Sequence, residues 1–174
     1  GKQVLLPKRD FIAKLVAAKN AKKNDDFLII GRTEALIANM GVDEALDRAH
    51  AYEKAGADII FPHSRKKSPD EIFEFCKRWN GKIPIMIVPT AFPTVTLDEL
   101  KSRGVQIVVF AHQTTLAAFA AISDVVKQMS KIKSLDDLET KLASMDDLFK
   151  LQGMHKIKDH EYFIEEEVKK LDLA

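Results

Sequence analysis

The sequence predicts an α/β chain in which four parallel strands alternate with helices, at the repeat of a (β/α)8 TIM-type barrel. Four short runs, Phe27–Ile30, Ala57–Phe61, Ile83–Val88 and Val105–Phe110, are apolar rather than alternating, the pattern of strands buried on both faces of a parallel sheet. Helix-period segments fill the intervals between them. The strands begin near residues 27, 57, 83 and 106, close to the ~30 residues per unit of a barrel of about 250 residues. Four such units make half a barrel. As an open sheet they would leave long apolar edges, which natural proteins avoid. No Gly-rich dinucleotide fingerprint follows any strand, so a Rossmann domain has no support.

A helix precedes the first strand, and each strand is followed by another. Val42 to Ala55 places Ala45, Leu46, Ala49 and Tyr52 on one stripe and ends at Gly56, a residue suited to the left-handed turn that closes a helix. Ser68-Pro69-Asp70-Glu71 opens the next, with a Ser cap, Pro at the first helical position and acids in the first turn; it runs to about Trp79. Thr96-Leu97-Asp98-Glu99 has the form of a capping box, and Gly104 ends that helix. Thr114 to Lys131 is a fourth. In the tail, Ser134 and Ser144 each cap a helix, Gly153 closes the second, and a last helix covers about Asp159 to Leu171. Glu165 and Glu166 are spaced to pair with Lys169 and Lys170. Tyr162, Phe163 and Val168 form an apolar stripe in need of a partner surface. The chain divides into a half-barrel over residues 1–131 and a helical extension over residues 132–174, the latter expected to pack against another subunit.

Of the 174 residues, 46% are hydrophobic and 30% charged, the balance of a globular domain with a real core. The net charge of +1 gives no global field to attract nucleic acid or an anionic membrane. Lys14, Lys19, Lys22 and Lys23 cluster locally and are expected to be a solvated helix face. No apolar run approaches the ~18 residues of a membrane span. Cys76 is the one cysteine; it is expected to be a small core residue, in a protein of a reducing, cytoplasmic compartment.

The C-terminal ends of barrel strands carry active sites. Here they present Arg32, His63 with Arg65, Thr90 and His112. Arg32 offers a planar fork of donors for a carboxylate or phosphonate; the alternative is a structural ion pair with Glu34 or another acid. His63 is either a catalytic donor or proton carrier at the ligand, or a histidine that orients Arg32. Arg65, with Lys66 and Lys67, is an anion-steering rim or a plain exposed loop. Thr90 can bond a carboxylate or satisfy local backbone. His112 is expected to be a packing histidine. No metal-ligand spacing is visible: His63 and His112 lie on separate strands, and His155 and His160 form a weak pair.

These strand ends carry a family likeness. Ile29 to Ala38 resembles a segment "ARVEALIAG"; Asp43 to Asp58 resembles "EALxRAxAYxxAGAD"; His63-Ser64-Arg65 with Ser68 to Ile72 resembles "HSRxKTPDEI"; Val88 to Pro93 resembles "VPTAYP"; and Leu151-Gln152-Gly153 echoes a tail "LQG". Together they are similar to the phosphoenolpyruvate mutase and phosphonopyruvate hydrolase branch of the isocitrate lyase superfamily. The resemblance implies a (β/α)8 barrel of that type and an Mg2+-dependent enzyme acting on a carbon–phosphorus bond. The mutase interconverts phosphoenolpyruvate and phosphonopyruvate, and the hydrolase splits phosphonopyruvate to pyruvate and phosphate. It implies that Arg32 meets the charged end of a small anionic substrate with His63 beside it, and that the C-terminal helices pack in a homodimer or homotetramer. The HSR and PTA motifs lean toward the hydrolase.

Two departures accompany the likeness. Gly1 to Phe11 aligns with the end of the family's mobile gating loop, so the family's first four strands and the aspartates that hold Mg2+ have no counterpart here, and the chain alone is expected to be inactive. The last strand end reads Ala111-His112-Gln113-Thr114 where the family shows "ANHxxRAA". A C–C bond lyase of the isocitrate or methylisocitrate lyase type, and a non-catalytic half-barrel used for assembly, therefore stand as alternatives.

Overall fold

The computed structural model describes residues 3–171; the expectation for Gly1 and Lys2 lies outside them. Contacts divide the chain into two compact units, residues 1–114 and 115–174.

The first unit is built on a four-stranded sheet of order β1-β2-β3-β4, parallel throughout: β1 (Ile30–Thr33), β2 (Ile59–Pro62), β3 (Ile85–Ile87) and β4 (Val105–Val108). Helices α1 (Lys8–Ala21), α2 (Gly41–Lys54), α3 (Asp70–Arg78) and α4 (Leu97–Ser102) alternate with the strands. This is the partial-barrel α/β topology the spacing predicts.

Strand β1 begins three residues later than its apolar run suggests, and Phe27 and Leu28 are exposed. Asp58 is the cause. Its carboxylate accepts the Ile29 N–H at 2.8 Å, and its own N–H donates to the Ile29 carbonyl at 2.8 Å. The ladder therefore opens at Ile30 opposite Ile59 and carries Arg32 opposite Phe61, inside the strand rather than after it. Nor is β1 buried on both faces: Gly31 and Thr33 are buried while Ile30 and Arg32 are exposed. Only β2 is buried along its whole length. The difference follows from position, because β1 and β4 are the edges of the sheet.

The α2 stripe packs as its period predicts, with Ala45, Leu46, Ala49 and Tyr52 all buried. A Cβ on Gly31 would stand 3.1 Å from the Cβ atoms of Tyr52 and Ala57, so the missing side chain lets helix and strand approach closely. Gly56 closes the α2 turn at φ +101°. Phe75 and Ile72 of α3 and Leu100 of α4 complete the core against Ile60, Ile85 and Ile87. Cys76 joins them, and burial pushes its thiol up to about 11, far from the reactive range.

Capping is partly as expected. The Thr96 hydroxyl accepts the Glu99 N–H at 3.1 Å, and Ser68 bonds the Asp70 N–H at 3.3 Å. Between β3 and β4 the ladder skips a residue, and the Gln106 side chain accepts the Ile85 N–H at 2.8 Å in place of a backbone carbonyl. The lysine cluster is not uniformly solvated: Lys22 is largely buried against Asp58, 3.3 Å away.

Helix α5 (Gln113–Met129) begins at the last two residues of the first unit; in the second it is followed by a single 3-10 turn (Leu135–Asp137), α6 (Met145–Leu151) and α7 (Met154–Lys170). Ser134 and Ser144 both form capping boxes, but the first caps only the 3-10 turn rather than a full helix. Helix α7 starts five residues before the expected Asp159, directly after Gly153 at φ +71°. Its ion pairs run Glu166–Lys169 and Glu167–Lys170 at i,i+3 instead of the expected i,i+4, since both spacings are neighbours on a helix surface. No residue of α5, α6 or α7 is buried. Among the described residues no helix is long and apolar enough to cross a membrane.

Phe75 is fully buried at the centre of the first unit. Phe75→Ala is expected to cost about 3–5 kcal/mol, read as a lowered midpoint in urea unfolding.

Candidate functional site

The site grows from the pairing of β1 with β2. Alternation along β1 turns Gly31 and Thr33 inward and leaves Arg32 on the opposite face. One residue past β2, the His63 N–H donates to the Thr33 carbonyl at 3.2 Å. That bond extends the ladder by one step and fixes His63 beside Arg32. Phe61, opposite Arg32 in register, lies under both: its ring centroid is 5.0 Å from the guanidinium carbon and 5.5 Å from the imidazole centroid.

Arg32 Nη2 lies 2.6 Å from His63 Nδ1 and also donates to Glu34 Oε1. Glu34 Oε1 is 3.6 Å from His63 Nδ1. Arg32 thus pairs with Glu34, and His63 touches Arg32. Glu34, two residues along the chain from Arg32, joins the cluster, and the sequence signals it only as an ion-pair partner.

A guanidinium can only donate, so Nδ1 accepts and the ring proton belongs on Nε2. The imidazole is therefore neutral. Burial, then the charge of Arg32, holds the His63 pKa below its ordinary value of 6.5; the Arg65 charge adds to this and Glu34 opposes it. With Nδ1 accepting from Arg32, the one N–H donor left to His63 is at Nε2.

Arg65 is exposed and donates to Gln3 Oε1 at 3.1 Å. Among the described residues it forms no ion pair with a carboxylate, whereas Arg32 has Glu34 and Lys66 has Glu71. Thr90 is exposed on a 3-10 turn, Pro89–Ala91, at the end of β3. It borders a hollow of about 450 Å3 with Leu97, Phe110 and Gln113, and no hydrogen bond joins it to the Arg32–His63 pair. His112 is exposed, not packed; it follows β4, an edge strand with nothing beyond it in this unit to bury a ring. Among the described residues, no three His, Cys, Asp or Glu side chains gather into a group that could hold a metal ion. The donor set does not fit Mg2+, and the chemistry it offers is that of cations and N–H donors meeting an anion.

The model of the phosphoenolpyruvate phosphomutase family matches residues 1–130. The chain belongs to that family. The phosphoenolpyruvate phosphomutase of Tetrahymena pyriformis is 39% identical over 158 residues, 91% of this chain and 53% of that protein. The phosphonopyruvate hydrolase of Variovorax sp. (strain Pal2) is 38% identical over 159 residues, 91% of this chain and 55% of that protein. Among solved structures, a phosphonopyruvate hydrolase in complex with oxalate and Mg++ matches with a TM-score of 0.87 at 37% identity, covering 93% of this chain and 58% of that one. The chain spans about half the length of the curated relatives it matches. Both named relatives of this phosphomutase-family chain are enzymes.

The neutral imidazole has a measurable consequence. Because the folded-state pKa of His63 lies below the unfolded value of 6.5, its contribution to stability is complete above pH 6.5. That contribution falls as pH drops through the folded-state pKa. Imidazole proton NMR is expected to show His63 titrating below 6.5, and His63→Gln to flatten this part of the pH–stability curve.

Proposed function

We propose that this chain provides the anion-binding wall of an enzyme acting on the carbon–phosphorus bond of phosphonopyruvate, as a phosphonopyruvate hydrolase or a phosphoenolpyruvate phosphomutase. The observation that carries the reading is the 2.6 Å contact between Arg32 and His63 at the ends of adjacent parallel strands. It is supported by Arg65, an exposed cation two residues along the chain from His63 that has no carboxylate partner among the described residues. In this reading Arg32, partly neutralised by Glu34, keeps its remaining N–H groups for the substrate's charged end. His63 donates its Nε2–H to the same group, and Arg65 adds a second cation from the rim. The Thr90 hydroxyl is assigned to the carboxylate side. Such donors, fixed before the substrate arrives, stabilise developing negative charge without reorganising.

The solved hydrolase relative is in complex with Mg++ and oxalate. Mg2+ is proposed for this protein on that relationship. Arg32 and Arg65 are cations and His63 has its ring acceptor engaged, so none of them is its ligand.

In the assembled, full-length protein, Arg32→Ala is expected to lower kcat/KM about 100-fold or more. Phosphorus NMR of a phosphonopyruvate incubation is expected to show phosphate or phosphoenolpyruvate. Unchanged turnover in the variant would remove Arg32 from the reaction. An inert phosphonopyruvate signal, with cleavage of a 2-hydroxy acid instead, would make the protein a C–C bond lyase.

The helical extension after residue 131 is assigned to subunit packing. Phe149, Tyr162, Phe163, Ile164 and Val168 are all exposed, more apolar surface than an isolated helical segment keeps in water. Light scattering is expected to give a homodimer or homotetramer; a monomer would overturn this assignment.

A further inference from the structure

Helix α3 ends at Arg78, and the chain reaches β3 through Trp79-Asn80-Gly81-Lys82-Ile83-Pro84. Trp79 folds back over this turn. Its indole N–H donates to the Ile83 carbonyl at 3.3 Å, its ring stacks on Phe75, and the imidazole of His50 on α2 stacks on it with centroids 4.6 Å apart. Glu53, also on α2, accepts the Lys82 N–H at 2.6 Å and the Ile83 N–H at 3.3 Å through one oxygen, Oε1. Gly81 lies between these two grips. A Cβ there would run into the indole of Trp79 and stand 2.6 Å from Glu53 Oε2. The indole is stacked and hydrogen-bonded, so it cannot give way, and glycine is the residue that fits.

Packing thereby fixes the neighbour of Asn80. Of the asparagines at 20, 24, 39 and 80, only Asn80 precedes a glycine. It is exposed, its amide makes no hydrogen bond among the described residues, and the Gly81 N–H donates to no acceptor there. The side-chain carbonyl carbon of an asparagine can close a five-membered ring with the next backbone nitrogen, and a side chain on the next residue is what hinders that closure. Here none does. We propose that Asn80 is a site of spontaneous deamidation in the folded protein, and that the reaction releases the α3–β3 turn from Glu53. The Gly81 nitrogen gives up its proton and attacks Asn80 Cγ. The bond from Cγ to the side-chain nitrogen breaks, and that nitrogen leaves with the proton as ammonia. Water then opens the cyclic imide at either carbonyl. One product is aspartate. In the other, isoaspartate, the main chain runs through Cβ and is one atom longer. Both place a new carboxylate one residue from the Glu53 contact, where like charges repel. The longer chain also shifts Gly81 out of its gap.

The test ages the full-length protein in mildly alkaline buffer and digests samples with trypsin over time. Cleavage after Arg78 and Lys82 releases Trp79-Asn80-Gly81-Lys82, in which Asn80 carries the only side-chain amide. Mass spectrometry is expected to show this peptide accumulating deamidated forms, one of them labelled by an isoaspartyl methyltransferase. The peptides that hold Asn20, Asn24 and Asn39 are expected to stay intact over the same period. Asn80→Gln, whose longer side chain closes the ring far more slowly, is expected to lose the product. The aged fraction, separated by its extra negative charge, is expected to lose hydrogen-exchange protection at the Lys82 and Ile83 amides that Glu53 holds. An Asn80 peptide that remains unmodified while the protein is folded overturns the proposal, because the turn then shields the amide. Deamidated protein in which both amides stay protected overturns it too, because the turn then keeps its hold on Glu53.

Discussion

The register between β1 and β2 is the constraint on which the site depends, and Asp58 sets it. One carboxylate holds the Ile29 N–H while its own backbone N–H returns the bond to the Ile29 carbonyl. The backbone bond from Ile29, together with the nearby Lys22 ammonium, keeps the Asp58 pKa below the usual carboxylate range. Side chains alternate along a strand, so a slip of one residue would turn Arg32 toward α2 and bring Gly31 to the open face. The contact with His63 exists because that slip does not occur. Lys22, thirty-six residues away in sequence, belongs to the same device.

Above that register the electrostatics is uneven by construction. One carboxylate, Glu34, faces two basic groups, and the ring of Phe61 lies beneath them. An aromatic face attracts a cation without consuming its donors. The guanidinium is thus held from below and from one side and remains able to bond elsewhere. Burial, then the charge of Arg32, lowers the pKa of the imidazole, and with Nδ1 accepting from Arg32 its N–H lies at Nε2. Few side chains do this, and they come from the ends of only two strands.

Much of the fold was legible in the sequence because local chemistry and tertiary packing agree. Gly56, Gly104 and Gly153 take positive φ where helices end, and the α2 stripe is buried residue for residue. Arg32 and His63 were readable as candidates because each directly follows an apolar run. What was not legible depends on distant partners. No periodicity announces that Asp58 will delay β1, that Lys22 will leave the solvated face, or that buried Arg48 will bond the Leu6 carbonyl 3.0 Å away. The early start of α7 was missed because Met154 to Lys158 holds only two apolar residues and has no cap other than a glycine. His112, expected to pack, is exposed where it follows β4, an edge of the sheet.

The break in the ladder at Gln106 bears on how this protein can change. A bulge supplies slack: a residue gained or lost beyond it alters where the end of β4 points without disturbing the strands before it. The segment beyond that slack is Ala111-His112-Gln113, where β4 gives way to α5. The molecule has a conservative side, pinned by Asp58, and a permissive side, loosened by a borrowed side-chain carbonyl. A change at the second would re-aim the end of β4, while the pairing of β1 with β2 that places Arg32 beside His63 stays as it is.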